Sequence, residues 1–231
     1  VQITQNSAAP GGNISVRIRG ANSINGSSEP LYVVDGIPLS NAGGINEISS
    51  LSAINPNDIE SVELLKDASS TAIYGARGAN GVMLITTKRG KEGVSRVNYE
   101  GYYGTQKVNK KLDLLNAAEF AALENEIYKT DVYPNPSSLG EGVDWQDIMF
   151  RTAPMQSHQV SLSGGNQKTQ VMLSLNYFDQ KGVVQATDFK RYSLRLNLDH
   201  QISNRFKAGL SVLGSYTINN NPAPAATDFN G

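Results

Sequence analysis

From Tyr192 the chain alternates apolar and polar residues: Tyr192, Leu194, Leu196 and Leu198 fall on one face, Ser193, Arg195, Asn197 and Asp199 on the other. A period of two sustained over that length dictates a β-strand, because only extended backbone sends successive side chains to opposite faces. The pattern recurs. Val171, Leu173, Leu175 and Tyr177 oppose Met172, Ser174 and Asn176, while Phe206, Ala208, Leu210, Val212 and Tyr216 oppose Lys207, Ser211 and Ser215. Residues 158–164 and 97–105 follow it less tightly. Residues 94–231 are therefore expected to form an antiparallel β-meander of about five strands. Each segment is about ten residues long, the span of a tilted membrane strand.

The predicted connections differ in length. Residues 165–168 and 203–205 are tight turns, whereas 180–191 is longer and 106–156 much longer. Membrane barrels carry short turns on one side and long loops on the other, so this asymmetry assigns an inside and an outside. The longest connection contains one helix, residues 117–129, with Asn116 as cap, Glu119 completing a capping box, and Phe120, Leu123 and Ile127 on one face. A short turn at residues 144–150 carries Trp145, the only tryptophan.

Residues 1–93 read differently, as an α+β unit with a small mixed sheet. Ile14, Val16 and Ile18 alternate with Ser15, Arg17 and Arg19 up to Gly20, giving a half-buried strand. The apolar run 31–34 is closed by Asp35-Gly36 and Pro38, a strand followed by a tight turn. The stretch 54–90, INPNDIESVELLKDASSTAIYGARGANGVMLITTKRG, predicts a strand at 59–66, a helix at 68–74, a glycine loop and a β-branched strand at 82–87. Asp67 is placed to cap that helix and Gly75 to stop it with a left-handed residue.

Composition removes several function classes. A net charge of −1, with basic residues scattered along the chain, gives nucleic acid no footprint. There is no cysteine, which excludes disulfides, thiolate metal sites and cysteine nucleophiles. No apolar window is long enough for a membrane-spanning helix. His158 and His200 lie in predicted strands without partners at ligand spacing, so neither a metal nor a catalytic triad is expected. The loop from Gly75 to Gly81 follows a helix and opens a strand, the reverse of a phosphate-cradling loop. Asp144 with Asp147, and Glu124 with Glu126, read as surface charge on helices. No enzyme activity and no cofactor are expected.

A soluble two-sheet sandwich also shows period-two strands. Tyr102, Tyr103, Tyr177, Phe178, Phe189, Tyr192, Phe206 and Tyr216 lie mostly near predicted strand ends, where the aromatic girdle of a membrane barrel would put them.

The motifs ISVRIRG (14–20), LYVVDGIPL (31–39), the stretch 54–90 and LDLLNAAEFAALENE (112–126), with VDWQDIMFRTAP and SLNYFDQKGVV further on, resemble the SusC/RagA-like, TonB-linked outer-membrane transporters in the right order. The resemblance implies a plug domain at 1–93 followed by the first strands of a transmembrane β-barrel at 94–231, with a helix-containing loop at 106–156. A barrel of about 22 strands would need far more chain, so a piece of a longer transporter is expected. By likeness, such a protein sits in the outer membrane of a Gram-negative bacterium and imports a bulky nutrient, an oligosaccharide or peptide. Its expected partners are the TonB complex, reached through an N-terminal box absent from these residues, a SusD-like lipoprotein lid and outer-membrane lipid. In these transporters plug arginines pair with barrel glutamates, which assigns plug-to-barrel locking to Arg19 and Arg77. The alternative is a soluble, secreted or surface-exposed β-rich module that binds glycan or protein. The last strand, cut off from its neighbour, is expected to leave a self-associating edge.

Overall fold

The computed structural model describes residues 2–5, 9–12, 14–18, 29–39, 54–129 and 131–220. Strands β1 (Gln2–Gln5) and β2 (Ile14–Arg17) pair antiparallel. The apolar run LYVV forms β3 (Leu31–Val34), which turns through Asp35 (φ 48°) and Gly36 (φ 86°) into the short β4 (Ile37–Pro38). Positive φ at both central residues is what a type I′ turn demands, and an Asp-Gly pair tolerates it. Strands β5 (Ile59–Leu65) and β6 (Val82–Thr87) complete a sheet of order β4-β3-β6-β5, in which β3 and β6 run parallel and the other pairs antiparallel.

All four residues of β3 are buried, because this strand is covered on both faces. Tyr32 and Val34 pack with Val16, Ile54, Met83 and Ile85 on one side. Leu31 and Val33 pack with Val82 on the other, backed by Leu65, Tyr74 and Leu84. Each such side chain contributes about 1.5–3 kcal/mol when fully buried.

The helix predicted at 68–74 is shorter in the structure. Helix α1 covers Ala68–Thr71 only and passes into a 3₁₀ segment, Ala72–Gly78, interrupted at Gly75 (φ 59°, ψ −147°). Gly75 has positive φ, as a glycine stop requires, but its ψ lies outside the left-handed helical well. The Asp67 carboxylate makes no cap bond. Its backbone carbonyl accepts from Ser70 Oγ (2.9 Å), Thr71 Oγ1 (3.2 Å) and the Thr71 amide (3.1 Å).

The second sheet is a five-stranded meander of order β7-β8-β9-β10-β11. Its strands are β7 (Gly93–Gln106), β8 (Ala153–Gly165), β9 (Thr169–Lys181), β10 (Asp188–Gln201) and β11 (Lys207–Asn220). At 13 or 14 residues they outrun the alternating segments, since the ladder continues into polar ends that carry no apolar signal. Strands β8 and β9 are joined through Asn166, whose side chain accepts from the amides of Lys168 (2.9 Å) and Thr169 (2.8 Å). Ser203 closes the β10–β11 turn in the same way.

At the other end the long β7–β8 connection holds α2 (Ala117–Tyr128) and α3 (Trp145–Met149). The Asn116 and Glu119 capping box forms as expected, and Asp144 caps α3. Within α2 only Ala121 is buried; Phe120, Leu123 and Ile127 are exposed.

Strand β10 is inside out by the rule of a soluble protein. Its polar residues Arg191, Ser193, Arg195 and Asn197 are buried, Arg195 to 3% exposure, while Tyr192 and Leu194 stand 45% and 39% exposed. Cross-strand register puts Leu173 and Leu175 of β9, Val160 and Leu162 of β8, and Leu210 and Val212 of β11 on the same outward face as Leu194, Leu196 and Leu198. A sandwich would bury that face. Here the first sheet covers the opposite, polar one.

Strands β7 and β11 each have one edge without a partner among the described residues. Two free edges beside an exposed apolar face make the 231-residue chain, produced alone in water, a self-associating species. Light scattering should show oligomers, and a stable monomer would contradict that expectation.

Candidate functional site: the interface between the small sheet and the wall

Three buried contacts tie the small sheet to the polar face of the wall. In the first, the turn residue Asp35 accepts from the Thr87 amide (2.9 Å) and the Thr87 hydroxyl (2.6 Å), and it forms an ion pair with Arg195. Arg195 Nη2 also reaches Thr87 Oγ1 (2.6 Å) and Ser211 Oγ (3.2 Å). Asn197 Nδ2 donates to the Lys88 carbonyl (2.9 Å), and Ser211 Oγ donates to Asn197 Oδ1 (2.9 Å). Both charges of the pair are shielded, with side chains only 3% and 4% exposed. In such a setting removing one partner strands the other, at about 3–5 kcal/mol.

The second contact centres on Gln159 of β8. Its amide nitrogen donates to Asp58 Oδ1 (2.9 Å) and Ser174 Oγ (2.9 Å), and its oxygen accepts from Asn55 Nδ2 (2.9 Å). Asn55 is in place because its carbonyl and side chain organise the 3₁₀ turn Pro56–Asp58. In the third contact, Arg191 Nη1 donates to the Ile54 carbonyl (3.2 Å) while its guanidinium lies 5.5 Å from the Phe178 ring centroid.

The linker between the sheets is equally close. Gly90 lies against β9, where a Cβ would fall 2.5 Å from the Val171 amide nitrogen. Beside it Arg89 pairs with Asp199 (3.1 Å) at the surface, where such a bond contributes about 0–1 kcal/mol.

Burial pushes the Asp58 carboxyl above the ordinary carboxylate range, although Ser174, Arg195, Lys88 and Gln159 all pull the other way. A raised pKa means the folded state holds the proton more tightly, so this group favours docking at low pH. Its cost appears as pH climbs through the raised value. In the full-length protein Asp58→Asn, which keeps an oxygen for Gln159, should remove that dependence. A melting series from about pH 4 to pH 8 checks it: the variant should match the parent at the acid end and exceed it at the neutral end.

On the outward face, Tyr99, His158, Tyr177, Tyr192 and Tyr216 form a row across all five strands, with successive ring centroids 5.1–6.4 Å apart. Tyr99 Oη and His158 Nδ1 are hydrogen-bonded at 2.7 Å. The row lies towards the long-loop end. On the turn side of it the outward residues of β9 and β10 are apolar as far as Val171 and Leu198, with Thr169 and His200 at the end, and two residues beyond it on the other side stand Asp179 and Lys190. Of the aromatics expected to form a girdle, Tyr177, Tyr192 and Tyr216 do so. Tyr102, Phe178 and Phe189 sit at inward register positions instead, Phe189 at 2% exposure beneath Gly11. His158, read from sequence as an ordinary sheet residue, is a member of the row. His200 pairs with Thr169 Oγ1 (2.8 Å).

Arg77, expected to lock the small sheet, is exposed and has no ion pair among the described residues. Arg19 lies outside the described residues. Among the described residues the contacts between the two sheets come from the wall: Arg195 pairs with the Asp35 carboxylate and Arg191 donates to the Ile54 carbonyl. The available signals were an arginine on the polar face of a regular strand and an aspartate in a turn, each unremarkable without the other.

A small mixed sheet held by buried polar bonds to the inner face of an antiparallel wall, whose outer face is apolar and crossed by an aromatic row, has the arrangement of a plug against the first strands of a membrane β-barrel. Residues 1–82 match the family model of the TonB-dependent Receptor Plug Domain. The chain is 42% identical over 200 residues to the TonB-dependent receptor SusC of Bacteroides thetaiotaomicron, covering 86% of this chain and 20% of that one. It is 42% identical over 223 residues to the TonB-dependent receptor P26 of Formosa agariphila, covering 94% and 22%. Among solved structures, that of the RagAB peptide transporter superposes with a TM-score of 0.80 at 31% identity, covering 95% of this chain and 28% of that one. The chain belongs to the SusC/RagA-like TonB-dependent transporters, and it spans about a fifth of the length of the curated relatives it matches.

Proposed function

We propose that this chain is the plug and opening wall of a transporter in the outer membrane of a Gram-negative bacterium, importing a bulky oligosaccharide or peptide. The observation that carries the reading is the reversed burial of β10, with its arginines packed on the plug and its leucines facing out. The division falls near residue 93, where β6 leads into β7 at the tight-turn side of the wall. The TonB complex supplies the energy, and a SusD-like lipoprotein closes the outer mouth. The buried bonds of Asp35, Asp58 and Ile54 hold the plug at rest and must break or shift for substrate to pass. Arg77, and Arg19 with it, would lock the plug to wall strands beyond these residues.

The test is uptake. Cells lacking the full-length gene should lose import of labelled oligosaccharide or of labelled peptide and regain it with the gene, only when TonB is present. Unchanged uptake of both refutes the reading. Arg77→Ala in the same cells should raise entry of a bulky hydrophilic antibiotic. No change would remove Arg77 from the lock.

A further inference from the structure

The turn at residues 9–12, between β1 and β2, reaches the long-loop end of the wall. It is closed by the Gly12 amide donating to the Ala9 carbonyl (2.9 Å), and its Pro10 is buried. Pro10 lies against Gly182 of the β9–β10 loop, where a Cβ would fall 2.8 Å from Pro10 Cγ and would also run into Thr187 Oγ1. Gly11, at φ 64°, lies so close to Phe189 that a Cβ there would enter the ring, and its amide faces Gln180 Oε1 at 3.4 Å. Glycine on each side of the contact lets the two backbones approach this closely. The receiving loop, residues 182–187, is shaped by the tail of the long β7–β8 connection. Arg151 Nε donates to the Gly182 carbonyl (3.0 Å), Nη2 to the Thr187 carbonyl (3.2 Å) and the Arg151 amide to the Val183 carbonyl (2.8 Å). Just before it, the Met149 and Ile148 carbonyls accept from the Gln185 amide (2.9 Å) and side chain (2.7 Å). Ala186 stands at φ 62°, a left-handed conformation that an alanine keeps only where its surroundings over-determine it.

We propose that Arg151 is a positioning residue for the plug: it shapes residues 182–187 into a seat for the turn 9–12, so the external end of the plug is held by the same connection that carries α2 and α3. The proposal rests on the transport reading above. Arg151 acts through the loop. Its guanidinium bonds the first and last residues of the segment, and a planar fork fixes the spacing between them as a flexible ammonium does not. Behind the seat, Phe189 meets Phe178 edge-on at 6.1 Å between centroids, and Phe178 lies beneath Arg191, which reaches the Ile54 carbonyl. The seat is therefore continuous with the third buried contact between plug and wall. A displacement of α3 is delivered to the plug through Gln185 and this loop, and a movement of the plug is delivered outward by the same contacts.

The experiment is hydrogen exchange of the full-length protein in mild detergent, read by mass spectrometry over residues 9–12, with entry of a bulky hydrophilic antibiotic into cells as a second readout. Arg151→Ala should raise exchange at residues 9–12 about tenfold, the loss of roughly one hydrogen bond from a charged donor. Gly182→Ala keeps Arg151 but pushes a methyl at Pro10 and Thr187, and it should give the same rise. The two together should do no more than either, because both act on one seat. Arg151→Lys, whose ammonium cannot span both carbonyls, should fall between the parent and Arg151→Ala. Lys168→Ala, exposed in the turn at the opposite end of the wall, should match the parent. Should Arg151→Ala fail to fold, Gly182→Ala carries the test alone. A rise confined to residues 182–187, with 9–12 as slow as in the parent, gives Arg151 a role in its own loop only and overturns the proposal. Additive effects of the two substitutions overturn it as well. Both single variants should also admit more antibiotic. Faster exchange at 9–12 with antibiotic entry unchanged upholds the seat and counts against the transport reading, so the two can fail separately.

Discussion

Arg195→Met in the full-length protein is expected to release the plug from the wall. The side chain is 3% exposed and is the ion-pair partner of Asp35, so the substitution leaves a carboxylate buried with only the Thr87 amide and hydroxyl for company. Breaking a buried pair from one side costs about 3–5 kcal/mol, a large share of the stability of any single domain. The loss is one of docking, since the plug's own core around Tyr32 and Val82 does not involve Arg195. The expected observations are protease cleavage in the linker near Gly90 and increased entry of bulky antibiotics, with the wall still inserted. Removing both charges, with Asp35→Asn added, should recover much of the loss, because no unpaired ion then remains. If the double variant is as leaky as the single one, the pair is not the latch.

Leu196→Arg should be the most damaging single change on the other face. Leu196 lies midway along the apolar band, between Tyr192 in the aromatic row and His200, so a charge there sits near the bilayer centre at a cost of about 2–4 kcal/mol. Asn220→Arg, at the external end of β11, should cost near zero. Folding yield in bilayers measures both. The sign separates the two architectures considered from sequence: in a soluble module with this geometry an arginine at a water-exposed position would be harmless, and a variant that reaches the parent's folded yield in bilayers would remove Leu196 from the lipid-facing band.

Much of the architecture is legible because its signals are local. The run LYVVDG carries its own strand, turn and stop, and β3 and β4 form where it places them. The Asn116 and Glu119 pair caps α2 within three residues. Asp67 does not cap α1, and at this turn the Ser70 and Thr71 hydroxyls donate back to the Asp67 carbonyl. Arg77 drew attention through its glycine-bounded loop, while Asp35, Asp58, Gln159 and Arg195 did not. Asp35 and Arg195 are 160 residues apart and Asp58 and Gln159 are 101 apart, and no spacing rule connects such residues.

Periodicity alone determined that the second half is a meander, and the order and type of short elements determined that the first half is a small mixed sheet. It could not say which face of β10 would be covered. Alternation is symmetric between the two faces, and the choice falls to whatever packs against one of them. The plug supplies Asp35, Thr87, Lys88 and Ile54 as partners for Arg191, Arg195 and Asn197, so the polar face can be buried without stranding a charge. The leucines are left facing outward, and hydrocarbon is the surroundings in which that costs least.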